Sequence, residues 1–310
     1  MWLYFALGGY ACLAVVAMLD KYILSKEKVS PIIFVFYSTI FLLPLGLAVP
    51  FLHPGSIPAF VWPIILTGGL MFVLSLGTLY SALQETEVSH TGPFIGALIP
   101  LFVLVFSQIF LGEQITSHQL IGIILLCLGS LLIAYQKSPH HKAWRYHINP
   151  AVLSAVLFSL FHICAKYIYV QIGFVSGFIL LWSVMGIIGL LIGLFSKKVQ
   201  HHFFPKHPLL AAIRFRLTHA QTSSYEGLIV GLDKVLGAIG VFAVQYAVSL
   251  GSVTMVNALS GVQYGLLIIF VALASAFFPR LFKEKYNKGE LVQEIFAVMV
   301  VILGIFFLVR

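Results

Sequence analysis

Residues 118–142 read HQLIGIILLCLGSLLIAYQ followed by KSPHHK, and their reading decides the fold. The first part is an apolar run long enough, at ~1.5 Å per residue, to carry a helix across ~30 Å of hydrocarbon. The second is a short basic break containing proline, near the middle of a 310-residue chain. Outward from this point the same alternation of apolar run and polar break recurs. Five runs meet the length requirement up to the break, at 2–24, 31–52, 59–83, 89–111 and 118–136. Five more follow it, at 147–171, 174–195, 227–250, 252–277 and 291–309. The expectation is an all-α integral membrane protein with ten transmembrane helices.

Composition agrees. The chain is 60% hydrophobic and only 9% charged, against about 25% charged in a soluble domain. A soluble enzyme core, a disordered chain and a nucleic-acid-binding domain are poor fits. The last is so despite a net charge of +8, because the basic residues lie in short breaks and form no basic face. All Lys and Arg except Lys166, Lys234 and Arg310 fall in breaks that follow odd-numbered runs or, for Lys21, at the edge of one. By the positive-inside rule those breaks are cytoplasmic and both termini lie outside. Cys12, Cys127 and Cys164 all sit within apolar runs and read as small hydrophobes, without a disulfide or zinc framework. The first run lacks a basic leader and a cleavage pattern, so it reads as a retained helix.

The breaks carry turn and cap chemistry, as in Lys26-Glu27-Lys28-Val29-Ser30-Pro31 and Thr116-Ser117-His118. The joins near 172 and 251 are tight enough that two runs could merge into one helix. The longest polar region is 196–226, in which 209–217 reads equally as a short interfacial helix or a solvated loop.

The midpoint break invites a comparison of halves, 1–136 and 147–310, joined by 137–146. Lys21-Tyr22-Ile23 matches Lys166-Tyr167-Ile168 at an offset of about 145, and Ser38 matches Ser183. Further on, Val88, Ser89 and Gly96 match Val253, Thr254 and Gly261; Glu113 matches Glu284; and Leu128-Gly129 matches Leu303-Gly304. The offset grows along the chain, as longer loops in the second half require. Five spans per half is an odd number, so the second half enters the membrane inverted. Inverted repeats give a midplane site two similar, opposite gates, the geometry of alternating access.

These residues resemble the EamA-type branch of the drug/metabolite transporter superfamily. The resemblance rests on Glu87-Val88-Ser89, Ile99-Pro100-Leu101-Phe102, Leu111-Gly112-Glu113, Gln119-Leu120-Ile121-Gly122 and Leu128-Gly129. The second half adds Gly251-Ser252-Val253-Thr254, Asn257-Ala258-Leu259, Lys283-Glu284 and Leu303-Gly304. It implies a bacterial-type inner-membrane carrier for small organic solutes, with ten helices in two five-helix repeats. The first, third and fourth helices of each half would line its cavity. Cytoplasmic termini are the family habit, against the charge bias. Related small multidrug exporters use a carboxylate midway along the first helix, whereas Ala11–Ala17 holds no acid and Asp20 lies near the end of its run.

Ionisable groups inside spans cost about 2.5–3.5 kcal/mol at the centre on insertion scales, so each asks for a reason. Asp20, Lys21, Lys166, Asp233 and Lys234 are candidates for coupling or gating, with snorkelling to headgroups the plain alternative for Lys21 and Lys166. Tyr80, Gln84, His162, Gln245, Tyr246, Asn257, Ser260, Gln263 and Tyr264 are candidates for the cavity, with interhelical hydrogen bonding the plain alternative. Asn257, Ser260 and Tyr264 share one helix face at i, i+3 and i+7. Pro93 and Pro100 leave carbonyls without intrahelical partners. Glu113 and Glu284 read as caps for the following spans. The histidine pairs 140–141 and 201–202 lack ligand-spaced partners, so no metal and no cofactor are expected.

The expected function is secondary, non-ATP transport of a small organic metabolite, since no nucleotide-binding loop is present. The alternatives are a lipid-linked-sugar flippase subunit of the same superfamily and a non-transporting membrane protein. An enzyme is not expected, because Asp20, His162 and Asp233 do not converge as an acid, base and nucleophile would. The partners implied are a small-molecule solute, membrane lipid and a coupling proton or sodium ion, with room for a homodimer and no nucleic acid.

Overall fold

Helix boundaries follow proline, glycine and cap residues. The computed structural model describes residues 1–24, 30–52, 57–83, 88–135, 141–203, 224–277 and 288–310. The first helix, α1, is Trp2–Leu24, and α2 is Pro31–Ile40, with proline in its first turn where a missing N–H costs nothing. The run read as one helix over 31–52 is split. Pro44 cannot donate to the carbonyl of Ile40, and the chain continues as a 3-10 helix over Leu43–Leu52.

Next come α3 (Val61–Leu83), α4 (Val88–Leu111) and α5 (Ser117–Ala134). Gly112 at φ +63° helps to turn the chain out of α4. A capping box opens α5, with Thr116 Oγ1 accepting from Gln119 N–H and the Gln119 side chain accepting from Thr116 N–H. The second half has α6 (His141–Ile172), α7 (Phe174–Phe195) and the short α8 (Lys197–Phe203). It continues with α9 (Ser224–Leu250), α10 (Val253–Ala258), α11 (Ser260–Phe277) and α12 (Lys288–Val309).

Both tight joins are true breaks. Gly173, at φ +79°, takes a conformation that glycine adopts without strain and separates α6 from α7. At the other join, Ser252 caps α10 by accepting from Met255 N–H. The run 252–277 is itself interrupted at Leu259, without proline or glycine. There Asn257 Nδ2 donates to the Val253 carbonyl at 2.8 Å, competing with the backbone ladder.

Ten segments among the described residues are long and apolar enough to cross a membrane, with α2 plus the 3-10 helix forming one and α10 plus α11 another. All described regular structure is helical. Residues 209–217 lie outside the described residues.

The most extensive packing pairs α1 with α9, α3 with α6, and α5 with α12. In addition α2 and the 3-10 helix lie against α7, α4 against α6, and α11 against α1. The α1–α9 seam is antiparallel. Gly251 lies against Trp2, Gly240 against the Gly9 carbonyl, and Gly237 against Val16. The ends of α4, α6 and α9 therefore share the membrane face on which α1 begins.

Candidate functional site

Three polar regions lie along the helices expected to line a pathway. The first is at the termini face. Lys166, two turns before the end of α6, points its ammonium at the carboxyl end of α9. It donates to the carbonyls of Val248 at 2.9 Å, Ser249 at 3.2 Å and Gly251 at 2.8 Å. These carbonyls have no onward helical N–H, and the negative end of a helix dipole suits a cation. Lys166 therefore neither snorkels to headgroups nor waits free for solute. Beside it, Thr254 at the start of α10 donates to Glu113 Oε2 at 2.5 Å and lies 2.8 Å from Ser107 Oγ on α4. Glu113 is thus a cross-half acceptor, and Thr116 performs the capping expected of it. The Glu113 carboxylate is also close enough to Lys166 to act on its charge.

The second region is where α1, α4 and α11 meet. Pro100 cannot bond the Gly96 carbonyl, and Ser260 Oγ fills that vacancy at 3.1 Å. The Tyr264 ring lies flat against Gly96, in space a Cβ would occupy, and the buried Tyr10 is its neighbour. Gln263 Nε2 reaches the Leu13 carbonyl at 3.5 Å. Asn257, Ser260 and Tyr264 do lie on adjoining turns, but Asn257 bonds within its own helix and the other two bind α4. These side chains tie helices together.

The third region is aromatic, crossing α3, α6, α7 and α9. Phe72 packs on Phe161 at 4.9 Å and on Trp182 at 5.7 Å; Trp182 stacks on Phe178 at 4.9 Å. Phe178 continues to Phe242, and Tyr246 contacts Phe174 and Phe5. Tyr169 Oη donates to Gln245 Oε1 at 3.1 Å, joining α6 to α9. One polar atom in this region, His162 Nδ1, is sealed from solvent without a hydrogen-bond partner among the described residues, while the buried Trp182 indole N–H lies beside the Tyr169 hydroxyl. Unsatisfied buried polar atoms are rare and costly, so they mark where a solute or water group is wanted. His162 is four residues before Lys166, hence one turn deeper on the same face of α6.

The remaining candidates are dispersed. Tyr80 lies 3.0 Å from Ser38 Oγ, tying α3 to α2, with its ring on Phe34. Asp233 is 1% exposed, and neither carboxylate oxygen has a hydrogen-bond donor among the described residues. Lys234 Nζ lies 2.9 Å from Oδ2 as an ion pair without hydrogen-bond geometry, and its side chain is 69% exposed. The antiparallel seam places position 20 of α1 roughly opposite Asp233. The side chains of Asp20 and Lys21, and all of Gln84, lie outside the described residues. Among the described residues no cluster of three His, Cys, Asp or Glu could hold a metal ion.

Sequence reasoning passed over Trp182, Tyr10, Tyr169 and Ser107. Only the carbonyl freed by Pro100 had a local signal. The hydrogen bonds that join Tyr169 to Gln245 and Ser107 to Thr254 span 76 and 147 positions.

Residues 1–135 match the model of a transporter family, the EamA-like transporters. No curated protein matches the sequence. Of the solved structures, 27 chains are similar. One crystal structure of a protein aligns with 98% of this chain and 96% of its own, at 16% identity and a TM-score of 0.62. At that identity the likeness shows the fold alone.

Proposed function

We propose that this chain, whose residues 1–135 match the EamA-like transporter family, is a secondary carrier that moves a small organic solute by alternating access. The observation that carries the reading is the packing order. Exchanging the first five spans with the last five turns the α1–α9 pair into the α6–α3 pair. The same exchange turns α4–α6 into α11–α1 and leaves the α5–α12 and α2–α7 pairs unchanged. An inverted repeat with a pseudo-two-fold axis in the membrane plane accounts for all of these pairings. The exchange is imperfect in an informative way: α3 packs on α7, while the matching α9–α2 contact is absent from the substantial pairings among the described residues. Two repeats of one sequence type in unequal arrangements are what one end state of such a carrier requires.

The sealed Nδ1 of His162 supplies a hydrogen-bond partner for a solute, and the surrounding rings supply its apolar contacts. The driving force is an ion gradient or the solute's own gradient, and Asp233 is the coupling position. A buried carboxylate at a helix seam is where a proton or sodium ion compensates the lost hydration. The bacterial inner membrane is the proposed location. The test is uptake by proteoliposomes of the purified chain, with a panel of small metabolites and imposed proton or sodium gradients. Saturable, gradient-responsive uptake of a soluble solute is expected. Uptake indistinguishable from protein-free vesicles across the panel overturns the reading.

A further inference from the structure

Two contacts at the termini face join four helices in two pairs. Lys166 holds α6 to the carboxyl end of α9 through three carbonyls. Thr254 holds α10 to α4 through Glu113 and Ser107. Between them lies only the turn Gly251-Ser252, with Trp2 of α1 packed on Gly251. His162 and its unpartnered Nδ1 lie one turn beneath Lys166 on the same helix face. We propose that these contacts form one gate, which shuts the solute pathway at the termini face and must come apart for the pathway to open there.

The chemistry fits a gate better than a permanent brace. The α5–α12 pair shows a permanent brace, in which Gly122 and Gly304 bring the two backbones together and uncharged Gln293 Nε2 donates to the carbonyls of Leu132 and Tyr135. Here the partners are a lysine, a glutamate, two hydroxyls and the free carbonyls of a helix end, all of which water can replace once the face opens. Breaking the contacts in a hydrated mouth therefore exchanges hydrogen bonds for hydrogen bonds at little net cost. The residues are also those by which the two halves match in sequence: Lys166 with Lys21, Thr254 with Ser89, and Glu113 with Glu284. Lysine and threonine come from the second half and glutamate from the first, so the gate joins the two repeats. Its parts recur as a set although the chain around them has diverged. The role of this gate rests on the carrier reading, but its opening is measurable without knowing the solute.

The test uses the full chain in lipid nanodiscs, with the three native cysteines replaced by serine or alanine and pairs of spin labels on exposed positions. One pair, Ile109 and Leu250, reports α4 against α9 at the termini face. The other, Phe195 and Leu232, reports the opposite face. Distances are read by double electron–electron resonance. Lys166→Met and, more weakly, Glu113→Gln are expected to add a longer-distance population to the first pair, with the open fraction rising several-fold. The second pair stays narrow or shortens, and Lys166→Arg keeps the parental distribution. The proposal is overturned if Lys166→Met leaves the first pair unchanged. It is also overturned if both pairs broaden equally, which is general loosening. Opening without any solute transport would sink the carrier reading and leave the gate standing.

Discussion

The two ends of α9 handle charge in opposite ways. At its carboxyl end the Lys166 ammonium finds three carbonyl oxygens within 3.2 Å, and a glutamate lies close by. Toward its amino end Asp233 is as deeply buried as any core side chain, yet no donor among the described residues bonds either oxygen. The first end spends its polar groups on holding helices together. The second keeps a carboxylate sealed from water without a hydrogen-bond donor among the described residues, paired only with the mostly exposed Lys234 ammonium 2.9 Å from one oxygen. Fully paired and poorly paired charge thus sit toward opposite ends of one helix.

Substitutions test that separation, beginning with the largest expected effect. Lys166→Met leaves three helix-end carbonyls uncovered and should cost about 2–3 kcal/mol, the scale of hydrogen bonds to a charged group. Unfolding in mild detergent, followed by circular dichroism, checks it. Thr254→Val removes the bonds to Glu113 and Ser107 and should cost about 1–2 kcal/mol in the same assay. Asp233→Asn has no hydrogen bond to lose and should shift stability by less than about 1 kcal/mol. It should nevertheless abolish the response of transport to an imposed ion gradient. Unaltered gradient-driven uptake by Asp233→Asn would remove Asp233 from the coupling step. Lys234→Gln removes a cation that is itself 69% exposed, although its partner Asp233 is buried, and should change stability by about 1 kcal/mol or less. A loss there as large as for Lys166→Met would erase the contrast between the two ends.

The spans were legible because hydrocarbon demands a run of apolar residues, and that demand is written locally. The joins at Gly173 and Gly251-Ser252 were legible too, since glycine and a capping serine mark them. The 3-10 stretch after Ile40 was missed, although Pro44 announces it, because hydropathy counts apolar residues without asking whether the backbone ladder can close. The break at Leu259 had no such marker; there the Leu259 N–H is shared between the Met255 and Val256 carbonyls.

At the candidate site the limit was different. Residue type alone could flag Lys166, Gln245 and Asp233 as costly, but their meaning lies in what they meet. Lys166 meets carbonyls 82 to 85 positions away, and Gln245 meets Tyr169, 76 positions away. Trp182 was invisible as a polar candidate, because an indole in an apolar run reads as greasy until its N–H is found beside the Tyr169 hydroxyl.

A carrier of this kind needs a polar pathway inside the bundle that faces each side of the membrane in turn. A single cysteine at position 162, in a background free of the native cysteines, tests it most directly. Sealed proteoliposomes with the chain in one orientation are treated with a membrane-impermeant thiol reagent, added outside or trapped within. The account expects modification from both sides, with Lys166→Met raising the rate from the termini face. Modification from one side only, or from neither, under every ionic condition and with every solute tried, would contradict it.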